Sequence, residues 1–284
     1  MTGATGKWLP ARHNLNGGSQ KVSPTFTYML EIIWQDEHLV AINKPHGLLV
    51  HRTSIAEEKE HFALQFLRDQ LGRPVYPCHR IDRKTSGVLL FALDRETEAL
   101  TKRLFENRLT TKYYLCVTRG FVPEYGIIDK ALAKENGKLQ DAYTEYYCLA
   151  QVELPIAVSR YSTSRYSLVL VKPHTGRMHQ IRRHMAHIRH YIIGDRTHGE
   201  NKQNKMFQEQ FGLETMMLHA WRLEFEHPFE KRKLTLEANP HPEFTTLLAK
   251  MEFAGEWLEK AKHFMNRAKN GEDESRQEHG SEEE

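Results

Sequence analysis

Four β-rich runs follow one another through the middle of the chain: Tyr113-Tyr114-Leu115-Cys116-Val117, Ile127 to Leu132, Tyr143 to Val152, and Tyr166-Ser167-Leu168-Val169-Leu170-Val171. Aromatic and β-branched residues dominate them, as a pleated, half-buried surface favours. Working outward, Ile32 to Trp34 and Leu39 to Ile42 read as earlier strands, the second closed by Asn43-Lys44-Pro45, where proline ends the ladder. Val88 to Leu93 is continuously apolar, which suits a buried strand, and Leu218 to Phe225 and Lys233 to Leu236 add two late ones. Helices are few. Helical spacing predicts Phe62 to Leu71, stopped by Gly72, then Thr97 to Asn107, and last Glu243 to Phe264 with an apolar stripe through Phe244, Leu247, Leu248, Met251, Leu258 and Ala261. Many strands and few helices without regular alternation predict an α+β fold: a single mixed, largely antiparallel sheet flanked by helices. With no internal repeat and no Gly/Ser linker between 29 and 265, one catalytic-sized domain is expected there. Residues 1–28 are expected to be a disordered extension and 266–284 an acidic disordered tail.

The chain has 284 residues, 39% of them apolar, enough to bury a core without staples. Its three cysteines, Cys78, Cys116 and Cys148, form no CxxC pair, which argues against a disulfide framework or a cysteine zinc site. No apolar run approaches the roughly 20 residues of a bilayer span. Residues 1–28 lack the apolar core of a signal peptide, so a reducing, cytoplasmic setting is expected, with no membrane partner.

Formal net charge is only +3. Its distribution is more informative. Residues 270–284 carry seven acids against Arg276, which leaves residues 1–269 at about +9. From 154 to 194 there is no carboxylate, but there are Arg160, Arg165, Lys172, Arg177, Arg182, Arg183, Arg189 and five histidines. Such a stretch is either a solvated basic face or the footprint of a polyanion binder; its length favours nucleic acid.

Two constellations could carry chemistry. In Cys78-His79-Arg80-Ile81-Asp82-Arg83-Lys84-Thr85-Ser86-Gly87 a single carboxylate stands among Arg80, Arg83 and Lys84, which favour its ionised form. It is either a nucleophile at a strand entrance or a structural ion pair that fixes a loop. In Lys172 to His184, the residues after Gly176 fall into helical spacing, with Met178, Ile181, Met185 and Ile188 on one stripe and Arg182 inside or beside it. Arg183, His179, His184, His187 and His190 are expected to point away. A core-facing arginine needs an acceptor unless it snorkels to solvent, and this stretch has none, so Asp82 is the candidate partner. The histidines are expected to be solvated or phosphate-facing, because no HExxH pattern or nearby acid supports a metal site. A weaker signal is Arg160-Tyr161-Ser162-Thr163-Ser164-Arg165-Tyr166, where tyrosines beside arginines could stack bases or simply form sheet surface.

His79-Arg80-Ile81-Asp82-x-x-Thr85-Ser86-Gly87, Lys112-x-Tyr114, and Thr175-Gly176-Arg177-x-His179-Gln180-Ile181-Arg182 resemble, in order and spacing, the motifs of the RluA family of pseudouridine synthases. Asn43-Lys44-Pro45-x-Gly47 and Ile193-Gly194-Asp195 extend the resemblance, which covers roughly Met29 to Pro240. Ile81 departs from the family's usual leucine. The Arg-Tyr insert at 160–166, Arg182 to His187, and His198-Gly199 resemble the branch that modifies uridine 65 of tRNA.

The resemblance implies Asp82 as the catalytic carboxylate, Arg182 as its partner, and Tyr114 as a platform on the flipped uracil that could help remove the proton from carbon 5. It implies that Arg80 fills the gap left in the RNA stack. Arg83, Lys84, Arg160, Arg165, Arg177, His179 and Arg183 are the further candidate RNA contacts. No cofactor and no metal is implied, since the reaction is an isomerisation. The expected partner is a tRNA, met by a monomer. The same chemistry on ribosomal RNA, and a silent RNA-binding protein, are the alternatives.

Overall fold

The computed structural model describes residues 29–51, 62–253 and 255–266. The expected N-terminal extension and nearly all of the acidic tail lie outside these. In chain order the elements are β1 (Glu31–Gln35), β2 (Leu39–Lys44), α1 (Ala63–Leu71), β3 (Tyr76–Pro77), β4 (Ser86–Ala92), α2 (Arg95–Glu106), β5 (Thr111–Arg119) and β6 (Tyr125–Asp129). There follow β7 (Leu132–Ala133), β8 (Leu139–Gln140), β9 (Tyr143–Leu154), β10 (Ser164–Pro173), α3 (Gln180–His187), α4 (Asn201–Phe211), β11 (Leu218–Glu226), β12 (Lys233–Glu237) and α5 (Pro242–Lys250). A final helix, α6, spans 257–266. The α+β expectation is met: every named strand pair of resolved register is antiparallel.

The chain divides into two compact units. Of the described residues, the first comprises those up to Thr111 with Ala220–Asn239. Its strands lie in the order β1-β2-β4-β11, with β3 on β4 and β12 on β11. β2 and β4 are buried along their whole length, and alternation divides their side chains between two cores. Leu39, Ala41, Val88, Leu90 and Ala92 join Leu223, Phe225 and Leu234 on one face, against Leu104 and Phe105 of α2. Val40, Ile42, Leu89 and Phe91 face Ala63 and Leu67 of α1 on the other. Coverage on both faces is why Val88 to Leu93 shows no polar alternation. Gly72, left-handed at φ 64°, stops α1; the Asp94 side chain accepts from Thr97 N at 2.8 Å and starts α2.

The second unit comprises Lys112–His219 and the described residues from Pro240 on. Its strands run β5-β10-β9-β6, with β7 and β8 forming a separate two-stranded ribbon. Cys116, Cys148, Val169, Val171, Ile181, Met185 and Ile192 make its core, seating α3 on the sheet. All three cysteines are free and buried.

Three expectations need correction. The run from Ile127 to Leu132 is two strands, because the chain leaves β6 at Asp129 and turns into the β7–β8 ribbon. The last helix is two: Glu252 adopts φ 58°, the chain leaves helical geometry near Gly255, and Leu258 is left exposed while Ala261 and Phe264 are buried. α4, whose sequence is almost wholly polar, was not expected at all; Met206 and Phe207 bury against the unit and hold it.

Candidate active site

The Asp82 segment is a tight loop leading into β4. Thr85 N donates to Asp82 O at 3.0 Å, closing a turn over Asp82, Arg83, Lys84 and Thr85. The turn is strapped to residues 44–48. Gly47 N donates to Arg83 O at 2.9 Å, and Arg83 Nε returns a hydrogen bond to Gly47 O at 3.0 Å. Beneath lies Lys44, whose side chain is fully buried and whose ammonium donates to the carbonyls of Pro45, Leu48 and Arg83 at 2.8, 2.8 and 3.2 Å. Burial pulls the Lys44 pKa down to about 7, while the Asp82 carboxylate opposes that fall, so the two groups lie in each other's field. His79 Nε2 accepts from Leu90 N at 3.1 Å and its ring stacks on Phe105, which anchors the start of the loop. Gly87 ends it at φ 108°, where a Cβ would sit 2.1 Å from Ala220 O; only glycine fits. Asp82 and Lys84 are half-buried, and Arg80 and Arg83 exposed.

In the second unit, the segment from Thr175 to His198 is built around buried polar contacts. Gln180, at the start of α3, accepts from Thr175 Oγ1 at 2.6 Å and from Arg177 N at 3.0 Å, and donates to Tyr143 O and Thr144 Oγ1. One turn on, His184 is fully buried between Thr144 Oγ1 and Lys130 O, each at 2.9 Å. That corrects the expectation that His184 points away: β9 covers this face of α3 as well as the apolar one. Burial also lowers the His184 pKa. Met178, expected on the apolar stripe, precedes the helix and is 47% exposed.

Arg182 is 4% exposed, as a core-facing arginine, and it pairs with the carboxylate of Asp195, 1% exposed, the first residue past the acid-free stretch. Arg182 Nε and Nη2 donate to Asp195 Oδ2 and Oδ1 at 2.7 and 2.8 Å, a bidentate clamp. Asp195 Oδ1 also accepts from Thr197 N and His198 N at 2.9 and 3.1 Å. Burial alone would raise the Asp195 pKa; the Arg182 hydrogen bond and the two backbone donors outweigh it and hold the carboxyl below the usual range. His179, in the left-handed conformation at φ 53° just before α3, meets His198 ring to ring, Nδ1 to Nε2 at 2.9 Å. Tyr114 lies on β5 opposite Val171, half-buried against the core that seats α3.

Of the other arginines, Arg177 Nε donates to Asp141 O and Arg183 Nη1 to Ala133 O, so both are tied to the region of the β7–β8 ribbon. With Leu132, Lys134, Gln140 and Met178 they line a cavity of about 360 Å³. Arg160 and Arg165 stand apart, Arg165 at the far end of β10 and Arg160 in the loop before it. Within the first unit the Asp82 loop gathers Asp82, Arg83 and Lys84; within the second, the 175–198 segment gathers Arg177, His179, Arg182 and Arg183. Sequence reasoning assigned no role to Lys44 or Asp195, although both stand in the short runs Asn43-Lys44-Pro45 and Ile193-Gly194-Asp195. Among the described residues no cluster of three His, Cys, Asp or Glu could hold a metal ion, and no helix is long and apolar enough to cross a membrane.

A family model described as RNA pseudouridylate synthase matches residues 38–187. Among curated proteins, a "tRNA pseudouridine synthase C" of Yersinia pestis is 47% identical over 238 residues, 80% of this chain and 93% of the relative. A protein of the same description from Vibrio vulnificus is 44% identical over 236 residues, 79% of this chain and 96% of its own. Among solved structures, human RNA pseudouridylate synthase domain containing 4 superposes with a TM-score of 0.62 at 24% identity, over 79% of this chain and 94% of that one, a likeness of fold.

Proposed function

Because the chain belongs to the RNA pseudouridylate synthase family, we propose that it converts a specific uridine of tRNA, at position 65, to pseudouridine, with Asp82 as the catalytic carboxylate. The observation that carries this reading is the Asp82 turn, whose backbone is closed by Thr85 N and strapped to Gly47 above a buried ammonium that lies in the field of the Asp82 carboxylate. The name borne by relatives of 44–47% identity supports tRNA as the RNA.

In the proposed reaction Asp82 attacks the flipped uridine, and the bond between N1 and the ribose breaks. The base turns over, a new bond forms from its carbon 5 to the same ribose carbon, and the bond that Asp82 made to the nucleoside breaks to return the free carboxylate. Carbon 5 then loses its proton while N1 gains one, so the product is an isomer and needs no external reagent. Tyr114 stacks on the uracil and assists removal of the carbon 5 proton. Arg182, its plane fixed by Asp195, balances the charge of the reacting carboxylate. Arg80 fills the gap left by the flipped base, and Arg83, Lys84, Arg177, His179 and Arg183 hold the phosphates, offsetting the few kcal/mol that flipping costs. The enzyme works as a monomer in the cytoplasm, a compartment that suits three free, buried thiols.

Asp82→Asn should abolish pseudouridine formation on a tRNA transcript and leave its Kd within about threefold. An active variant sinks the assignment. Mapping pseudouridines in tRNA and rRNA from cells with and without the protein separates position 65 from a ribosomal target. Affinity for tRNA should fall by roughly one power of salt concentration per phosphate contact.

A further inference from the structure

The loop between β9 and β10 carries an exposed aromatic tip that the proposed reaction leaves unused. Val158 and Tyr161 exchange two backbone hydrogen bonds, Val158 N to Tyr161 O at 3.1 Å and Tyr161 N to Val158 O at 3.3 Å, with Ser159 at φ 59° between them. This closed two-residue turn presents Tyr161, 51% exposed. Arg160 Nη2 donates to the Tyr161 hydroxyl at 3.0 Å, and its guanidinium carbon lies 5.1 Å from the ring centroid. Nearby, Phe121 is 39% exposed under Arg165, whose guanidinium carbon is 5.2 Å from that ring. Lys202 Nζ reaches Ser159 Oγ at 3.4 Å.

The charges around the tip are not balanced. Glu153 takes Arg165 and Glu200 takes Arg119, but among the described residues no carboxylate pairs with Arg160 or Lys202. A large ring held out by a guanidinium, beside unspent positive charge, has the parts of a single-strand stacking site: an aromatic face for a base and cations for its phosphates.

Register fixes how far this site lies from Tyr114. Tyr114 pairs with Val171 near the end of β10, whereas the tip joins the strand before Ser164. Seven residues of strand span about 23 Å. We propose that Arg160 and Tyr161 form a second RNA contact, which stacks an unpaired base of the substrate some 20 Å or more from the reacting uridine, so that a folded tRNA is read at two points. This deepens the synthase reading and rests on it.

The test compares the full-length enzyme with its Tyr161→Ala variant on two RNAs, the whole tRNA transcript and a short stem-loop holding the same uridine. Wild type should favour the tRNA. Tyr161→Ala should lose about tenfold in kcat/KM and in affinity on the tRNA, the scale of one base stack, with less than about twofold change on the stem-loop. Tyr161→Phe, which keeps the ring, should restore the preference. Equal losses on both RNAs, or an unchanged tRNA affinity, overturn the inference; the latter leaves the tip to a protein partner. If wild type forms no pseudouridine on either RNA while Tyr161→Ala still loses tRNA affinity, the synthase reading fails and the RNA contact stands.

Discussion

The Asp82 loop and the Arg182 clamp solve the same problem in opposite ways. Each must hold one charged side chain still. The clamp does it by burying an ion pair: Arg182 and Asp195 are both almost wholly inside, joined at two points, with two backbone donors completing the carboxylate. The loop does it by leaving Asp82 half-exposed and burying a different charge beneath, Lys44, satisfied by carbonyls. The clamp spends its electrostatics on position. The loop leaves its carboxylate half-exposed, on a turn whose main chain is tied by Thr85 N and Gly47 N.

The two sites should therefore fail differently. Removing one partner of a buried pair strands the other, so Asp195→Ala should destabilise the protein by ~3–5 kcal/mol, read as a large fall in Tm or in the denaturant midpoint. A mild effect would mean that Arg182 finds water or another acceptor.

Lys44 gives the next largest signal, through pH. Its folded pKa of about 7 lies below the unfolded value near 10.5, so the folded state binds fewer protons between those limits. Stability should therefore rise with pH from about 7 toward 10, by up to about 1.4 kcal/mol per pH unit from this group. The contribution is lost below pH 7, where both states hold the proton. Lys44→Met should remove that slope, whatever it does to stability at a single pH. An unchanged slope in urea titrations at pH 7, 8 and 9 would show that Lys44 is not the group responsible.

The smallest effect belongs to the exposed side of the loop. Arg83→Gln removes the Nε bond to Gly47 O but leaves the Gly47 N to Arg83 O strap, so thermal unfolding should register only about 0.5–1 kcal/mol. A loss as large as that of Asp195→Ala would mean that side chains, rather than the backbone, hold the Asp82 turn.

Much of this was legible in the residues. The strands announced themselves by β-branched and aromatic runs, and the end of α1 by Gly72. That Arg182 faces the core, and must take a carboxylate from outside residues 154–194, also followed from spacing. The further pairing with Asp195 was harder to see, because that residue lies one position beyond the stretch and is brought back by the turn after Ile192. His184 was misjudged for a related reason: a helix wheel marks the apolar face but not a polar face covered by a neighbouring strand, and Thr144 and Lys130 supply that cover. Lys44 looked like the ordinary end of a strand, since nothing local signals three carbonyls converging from residues 45, 48 and 83. α4 and the break before α6 depend on tertiary burial and on one left-handed residue, Glu252, neither of which leaves a periodic trace.

The chain's three thiols offer an experimental opening. Burial pushes Cys78 up to about 12 and raises Cys116 and Cys148 as well, so at neutral pH each is protonated and shielded from reagents. The native protein is thus a silent background for maleimide labelling. A cysteine introduced on the β9–β10 loop would be the one reactive handle, and a photo-crosslinker or fluorophore attached there would report on any RNA that approaches without first stripping the protein of its own sulfur.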